Sequence, residues 1–155
     1  MTAATYRFLD AVADSFDPLL ALLALAAPFL RRPRAHRSTV AYYLSAGAAI
    51  GIVYLVRAID SRYQIWASLG THFSTHSAFA ASLVASIGAF HRRWVAPLVV
   101  AAFLYFSLEL IMRYHRLTDI LSSAAMAVMA ALLLHLATAR ATQSHVEPSR
   151  PGAKA

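Results

Sequence analysis

The stretch STVAYYLSAGAAIGIVYLV, residues 38–56, contains no charged side chain. Its 19 residues are close to the ~20 that a helix needs to cross the hydrocarbon core of a bilayer. Residues 94–112 form a second stretch of the same length, interrupted only by Glu109, and residues 120–139 form a third, with His135 as its only titratable group. Hydrophobic residues make up 59% of the 155-residue chain and charged residues 14%, which is too little charge for the surface of a soluble domain. We therefore predict an all-α, polytopic membrane helix bundle.

Two further apolar segments raise the expected number of transmembrane helices to about five. The stretch from about residue 76 to residue 90 contains no acid and no arginine. Residues 18–30 are also apolar, but these 13 residues fall short of a ~30 Å hydrocarbon core at 1.5 Å per residue. We expect this first span to extend through Phe16 and Asp17, to thin the bilayer, or to lie partly inside the bundle.

The N-terminal residues predict a separate amphipathic helix on the membrane surface. Charged side chains recur there at spacings of three and four residues, opposite an apolar stripe; they are Arg7, Asp10, Asp14 and Asp17. Such an acidic start is not expected of a secretory signal peptide. We expect residues 1–140 to form a single membrane domain and residues 141–155 a disordered polar tail.

The distribution of arginine predicts the sidedness of the bundle. Five spans place residues 31–37, residues 91–93 and the tail on one side, and residues 1–16, 57–75 and 113–118 on the other. The first side carries more arginine next to membrane ends, so positive-inside bias assigns it to the cytoplasm of a cell inner membrane. The second set of loops is then expected to face outward.

Net charge and cysteine content exclude several classes of function. The charge of +7 arises from arginines clustered between apolar runs, a pattern typical of membrane topology and not of nucleic-acid binding. The chain has no cysteine, which excludes disulfides, thiolate metal sites and cysteine nucleophiles.

Two polar segments, residues 70–77 and 113–119, lie at the ends of predicted spans on the outward side. Ser74 or Thr75 is a good helix N-cap, which places His76 in a first helical turn whose free amides favour an anion. Such ionisable residues at a membrane edge are candidates for a functional site.

His115 and Asp119 are four residues apart, so the carboxylate is expected to accept a proton from one imidazole nitrogen and leave the other free. The arginines expected around this site are Arg57, Arg62, Arg113 and Arg116. Two histidines inside a group of arginines suit phosphoryl transfer.

At these residues the sequence resembles the type 2 phosphatidic acid phosphatase superfamily of membrane lipid phosphatases. That superfamily also includes the sphingomyelin and inositol phosphorylceramide synthases. Phe73-Ser74-Thr75-His76 is similar to its Pro-Ser-Gly-His motif, and His115-Arg116-Leu117-Thr118-Asp119 keeps its His-x3-Asp. The opening from Phe8 to Leu20 resembles the surface helix of small bacterial undecaprenyl-diphosphate phosphatases. The likeness covers roughly residues 6–137.

The resemblance implies hydrolysis of a phosphate or diphosphate lipid headgroup, of the phosphatidate, phosphatidylglycerophosphate or polyprenyl diphosphate type, with no cofactor and no metal. His115 would be the nucleophile and Asp119 would orient it. His76 would serve as general acid and base. Phosphate would be held by Arg62, Arg57, Ser74 and Thr75.

Two departures from the family pattern leave other functions open. Glu109 stands where the family has a phosphate-binding arginine, and no lysine precedes Lys154. We expect Arg113, four residues later, to neutralise Glu109 in a structural ion pair. The alternatives are a non-catalytic membrane subunit or lipid-binding protein and a lipid headgroup phosphotransferase, and a homo-oligomer also stays open. A metal site built from His72, His76, His115 and Asp119 is a further, less favoured alternative.

Overall fold

The computed structural model describes residues 2–30 and 36–144, and within these ranges all regular structure is helical. Six α-helices follow one another within these described ranges. We label them α1 (Ala3–Ala26), α2 (His36–Tyr63), α3 (Ile65–Ser68), α4 (Thr75–Phe90), α5 (Val95–Ile111) and α6 (Leu117–Ser144). Short 3₁₀ turns cover Ala27–Leu30 and Arg92–Trp94.

Three segments are long and apolar enough to cross a membrane: Ser38–Tyr63, Arg92–Ile111 and Leu117–Thr142. They match the long apolar stretches at residues 38–56, 94–112 and 120–139 of the sequence, so these three helices are confirmed. The other two expected spans are helical but differ from the three. Helix α4 has only 16 residues, about 24 Å at 1.5 Å per residue, and α1 carries four charged side chains in its first 17 residues.

The surface helix and the first apolar run, which we expected as separate elements, form the single helix α1. Thr2 caps its N-terminus by accepting a hydrogen bond from the backbone N–H of Thr5. Pro18 lies inside the helix, where it removes one backbone hydrogen bond. The helix continues through Pro18, so the acidic stripe and the apolar run are parts of one helix.

Helix α4 is the centre of the bundle and packs against α6, α2, α5 and α1. Most of its buried residues are small, which lets neighbouring helices approach closely; they include Ala78, Ala80, Ala81, Ser82, Ser86 and Gly88. The two ends of α4 therefore lie at opposite ends of the molecule. At its C-terminal end, the buried His91 donates from Nε2 to the carbonyl oxygen of Ala27, at 2.7 Å.

Helix α6 continues four residues into the segment expected to be a disordered tail. Residues 141–144 are its last turn, because the apolar, alanine-rich pattern before them continues in helix-compatible residues without a glycine or proline. The remainder of the expected tail, residues 145–155, lies outside the described residues. Residues 31–35 also lie outside the described residues.

Candidate functional site

Two loops meet at the N-terminal end of α4: residues 69–74, which precede α4, and residues 112–116, which precede α6. A cavity of about 800 Å³ opens between them. Its polar and charged lining comprises Arg57, Arg113, Arg116, His72, His76, His115, Asp119, Thr75 and Tyr114. We call it the basic cavity, because it collects three arginines and only one acid.

A second cavity, of about 670 Å³, adjoins the first and is mostly apolar. The two share four residues at their boundary: Thr75, His76, Tyr114 and His115. Apolar and aromatic side chains form most of its walls, among them Ala13, Pro18, Ala21, Tyr54, Phe79 and Tyr105. We call it the apolar cleft. Both histidines of the candidate site therefore lie where a basic cavity meets an apolar one.

The predicted N-cap places His76 as expected, in the first turn of α4. Ser74 is the cap and its hydroxyl accepts from the backbone N–H of Ser77. The backbone N–H of Ser74 itself donates to Oγ of Ser123 at 2.9 Å, and Ser74 is fully buried. Both of its groups therefore already have protein partners, and its contact with phosphate stays a prediction. Thr75, one residue on, does line the basic cavity.

Asp119 does not hydrogen bond to the imidazole of His115 in the part of the chain that the structure describes. Its Oδ1 accepts from the backbone N–H of His72 at 2.8 Å, and its Oδ2 from that of Arg116 at 3.0 Å. Asp119 is buried in the first turn of α6, from which a carboxylate readily reaches back to uncapped amides. It thereby ties together the two loops that carry the histidines.

His76, and not His115, is the histidine that pairs with an acid. Its Nδ1 lies 2.9 Å from Oδ2 of Asp17 on α1. Asp17 was a residue of the predicted surface stripe, and the two partners are 59 positions apart. In the sequence, Asp17 is recognisable only as the last acid of an amphipathic helix. That pattern does not indicate which residue the acid contacts.

Glu109 does not form the expected ion pair with Arg113. Its buried carboxylate accepts a hydrogen bond from the hydroxyl of Ser77, with Oγ and Oε2 2.6 Å apart. Helix α5 ends at Ile111, and Arg113 adopts a left-handed backbone conformation with φ 59°. The i,i+4 geometry that brings such a pair together requires a continuous helix. Arg113 has left that helix and is exposed at the basic cavity instead.

The four arginines expected around the site divide into two groups. Arg57, Arg113 and Arg116 line the basic cavity. Arg62, in the last turn of α2, is exposed and lines neither of the two cavities. A residue five positions after Arg57 points to a different side of a helix with 3.6 residues per turn, so the two could not both face one cavity.

A second side-chain contact joins α1 to the loop of the site. The phenol of Tyr114 donates a hydrogen bond to Oδ1 of Asp10. This hydrogen bond raises the pKa of the Tyr114 phenol above its ordinary value, so the hydroxyl keeps its proton at neutral pH. Tyr114 therefore anchors the loop between α5 and α6 to α1.

No group of three histidine, aspartate or glutamate side chains within residues 2–30 and 36–144 has the arrangement to hold a metal ion. The alternative metal site of His72, His76, His115 and Asp119 is thus not assembled, because Asp119 is committed to backbone amides and His76 to Asp17. In comparisons with known proteins, no family model, no curated protein and no solved structure matched the chain.

Proposed function

We propose that this chain is an integral membrane lipid phosphatase that hydrolyses a phosphate or diphosphate headgroup through a phosphohistidine intermediate. One observation carries the proposal: a cavity lined by three arginines opens onto an apolar cleft, with His76 and His115 at the boundary. A lipid phosphate has the matching two-part chemistry, an anionic headgroup on an apolar chain.

The charges on the two cavities determine which part of the substrate each would hold. Besides its apolar walls, the apolar cleft is lined by acids that would repel a phosphate: Asp14, Asp17 and Glu109. The basic cavity offers Arg57, Arg113 and Arg116, whose planar guanidinium groups suit phosphate oxygens. We therefore assign the headgroup to the basic cavity and the start of the lipid chain to the apolar cleft.

The chemistry divides into two displacements at phosphorus. A ring nitrogen of His115 attacks phosphorus in line, the bond to the lipid oxygen breaks, and the protonated imidazole of His76 gives that oxygen a proton and becomes neutral. His76 then takes a proton from water, which attacks the phosphohistidine, breaks its P–N bond and releases inorganic phosphate. The arginines stabilise the negative charge that spreads over the phosphoryl oxygens in both transition states.

The role of Asp119 in this proposal differs from the orienting role that the family resemblance implies. Its contacts to the amides of His72 and Arg116 hold the loop that carries His115 against the loop that precedes His76. Asp119 thus sets the distance between the two histidines through the backbone.

A second candidate function is a non-catalytic lipid-phosphate-binding protein. The observation in its favour is that His115 has no orienting acid in the described part of the chain, since both oxygens of Asp119 are occupied. A phosphotransferase would use the same first displacement and replace water by a lipid alcohol. All three proposals share an anion site in the basic cavity.

Orthovanadate binding to the purified protein in detergent tests that shared site, with Arg57→Ala and Arg62→Ala as a matched pair. Arg57 lines the basic cavity and Arg62, on the same helix, does not. We expect Arg57→Ala to weaken binding by roughly ten- to a hundredfold, the equivalent of one charge-assisted hydrogen bond of ~1.5–3 kcal/mol. Arg62→Ala should bind like the wild type. Equal binding by all three proteins, or none by the wild type, would remove the basis of the proposal.

The proposal also includes the finer topology expected from the sequence. We infer that α1 and α4 lie at membrane depth beside the three longer helices, with the basic cavity at the outer face of a cell inner membrane. The distribution of arginine supports this sidedness. The contacts of His72 with Asp119 and of Trp66 with Ser122 support it too, because they bring residues 57–75 to the end of the bundle where residues 113–118 lie.

A further inference from the structure

The contact between Asp17 and His76 fixes which imidazole nitrogen carries a proton. Oδ2 of Asp17 lies 2.9 Å from Nδ1 of His76. An ionised carboxylate can only accept hydrogen bonds, so Nδ1 must be the donor. A neutral imidazole carries one N–H, and its Nε2 is then left with a free lone pair.

The position of the ring places this free nitrogen at the reaction site. Asp17 lines the apolar cleft only, whereas His76 lines both cavities, and 70% of its side chain is exposed. Within the described residues, Nε2 of His76 has no protein hydrogen-bond partner. We propose that Asp17 is the positioning residue of His76, holding the proton on Nδ1 so that Nε2 faces the lipid phosphate; this deepens the proposed function and rests on it.

The stability of the fold does not account for a carboxylate at position 17. Its side chain is only 16% exposed, and its Oδ1 is buried without a hydrogen-bond partner in the part of the chain described. Burying an acceptor without a donor is destabilising. The half-satisfied carboxylate is therefore better explained by its effect on His76 than by packing.

Other contacts hold α1 in place independently of Asp17. The ring of Phe16 stacks on that of Tyr105, with centroids 4.3 Å apart and an interplanar angle of 11°. Tyr114 bonds to Asp10 near one end of α1, and the hydroxyl of Tyr42 donates to the carbonyl of Ala24 near the other. Replacing Asp17 should therefore change the state of His76 without releasing the helix.

The tautomer of His76 can be measured without any substrate. Nitrogen-15 NMR of histidine-labelled protein in detergent distinguishes Nδ1–H from Nε2–H, and His76→Gln identifies the signals of this residue. At a pH where the ring is neutral, we expect Nδ1–H in the wild type and Nε2–H in Asp17→Ala. Asp17→Asn should keep Nδ1–H, because its amide oxygen can still accept. Asp14→Ala, which removes an acid one turn away, is the matched control and should also keep Nδ1–H.

A kinetic measurement then tests what the Nδ1 contact does for proton transfer. As general acid, His76 is the imidazolium: Nε2 gives its proton to the leaving oxygen, and the neutral ring that remains keeps Nδ1–H on Asp17. The ratio kcat/KM reports the steps up to release of the lipid alcohol, and protonation by a general acid contributes ~10²–10⁴ to such steps. Asp17→Ala should lower kcat/KM at least tenfold more for an alkyl phosphate lipid than for an aryl phosphate, whose leaving group needs no proton. Asp17→Asn should recover part of the loss.

The two measurements separate failure of this inference from failure of the proposed function. Three results would overturn the role of Asp17. They are an Nε2–H tautomer in the wild type, an unchanged tautomer in Asp17→Ala, and an equal loss of kcat/KM for the alkyl and the aryl phosphate. A wild type that releases phosphate from no substrate would overturn the proposed function, and the NMR result would still decide whether Asp17 sets the tautomer of His76.

Discussion

The buried polar chain beneath the site offers a quantitative test with an internal control. The hydroxyl of Ser77 donates to Glu109, so its oxygen must accept from the hydroxyl of Ser74, 2.8 Å away. Ser77 is fully buried and Glu109 is 2% exposed. Ser77→Ala removes this donor to the carboxylate and leaves the Ser74 hydroxyl without its acceptor.

The expected cost follows from these contacts. A hydrogen bond to a charged acceptor contributes ~1.5–3 kcal/mol, and a buried group left unpaired costs a similar amount. We expect Ser77→Ala to lower the free energy of unfolding by about 2–3 kcal/mol, which is roughly a 30- to 150-fold change in the ratio of folded to unfolded protein. Because Glu109 lines the apolar cleft, the variant should also alter the charge environment beside His76.

Ser86→Ala is the matched control. Ser86 lies on the same helix and is equally buried, but its hydroxyl has no hydrogen-bond partner in the described part of the chain. Removing it should change stability by less than ~0.5 kcal/mol. The assay is denaturant or thermal unfolding in detergent, followed by circular dichroism. Equal destabilisation by the two variants would refute the reasoning, because it would show that the contact to Glu109 contributes nothing beyond the loss of a buried serine.

Two further predictions concern the loops and the topology. Folded yield should be highest for the wild type, lower for Asp119→Asn and lowest for Asp119→Ala. The asparagine side chain keeps one acceptor oxygen for the backbone N–H groups of His72 and Arg116, whereas alanine keeps none. Size-exclusion chromatography measures the yield, and equal yields would contradict the bridging role of Asp119. A cysteine at Ser68 should react with an impermeant thiol reagent in intact cells, and one at Arg93 only after lysis; the reverse pattern would move the site to the cytoplasmic face.

Local signals in the sequence were sufficient for the three long helices, for the start of α4 and for the position of one site residue. The three long apolar stretches predicted three helices because hydrophobic length is a local property. Ser74 predicted the start of α4, and with it the position of His76, because capping depends on residues within one turn. Pro18 did not separate the surface stripe from the apolar run, since a single proline removes one hydrogen bond and does not end a helix that tertiary contacts support.

The side-chain partners within the site could not be predicted in the same way. The pairs Asp119–His115 and Glu109–Arg113 were both inferred from a spacing of four, which holds only within a continuous helix. His115 lies before α6 begins and Arg113 lies after α5 ends, so neither pair meets that condition. Asp17 and His76 meet through tertiary packing of α1 on α4, and no local pattern specifies a contact over 59 residues.

Phosphate release from a panel of lipid phosphates and diphosphates, measured with purified wild type and His115→Ala in detergent, tests the central claim most directly. We predict release by the wild type, unaffected by chelators, and loss of at least three orders of magnitude in His115→Ala, because the nucleophile is removed. A wild type that binds orthovanadate but releases no phosphate would contradict the hydrolase and leave the lipid-phosphate-binding protein. Release that continues in His115→Ala would contradict the phosphohistidine mechanism.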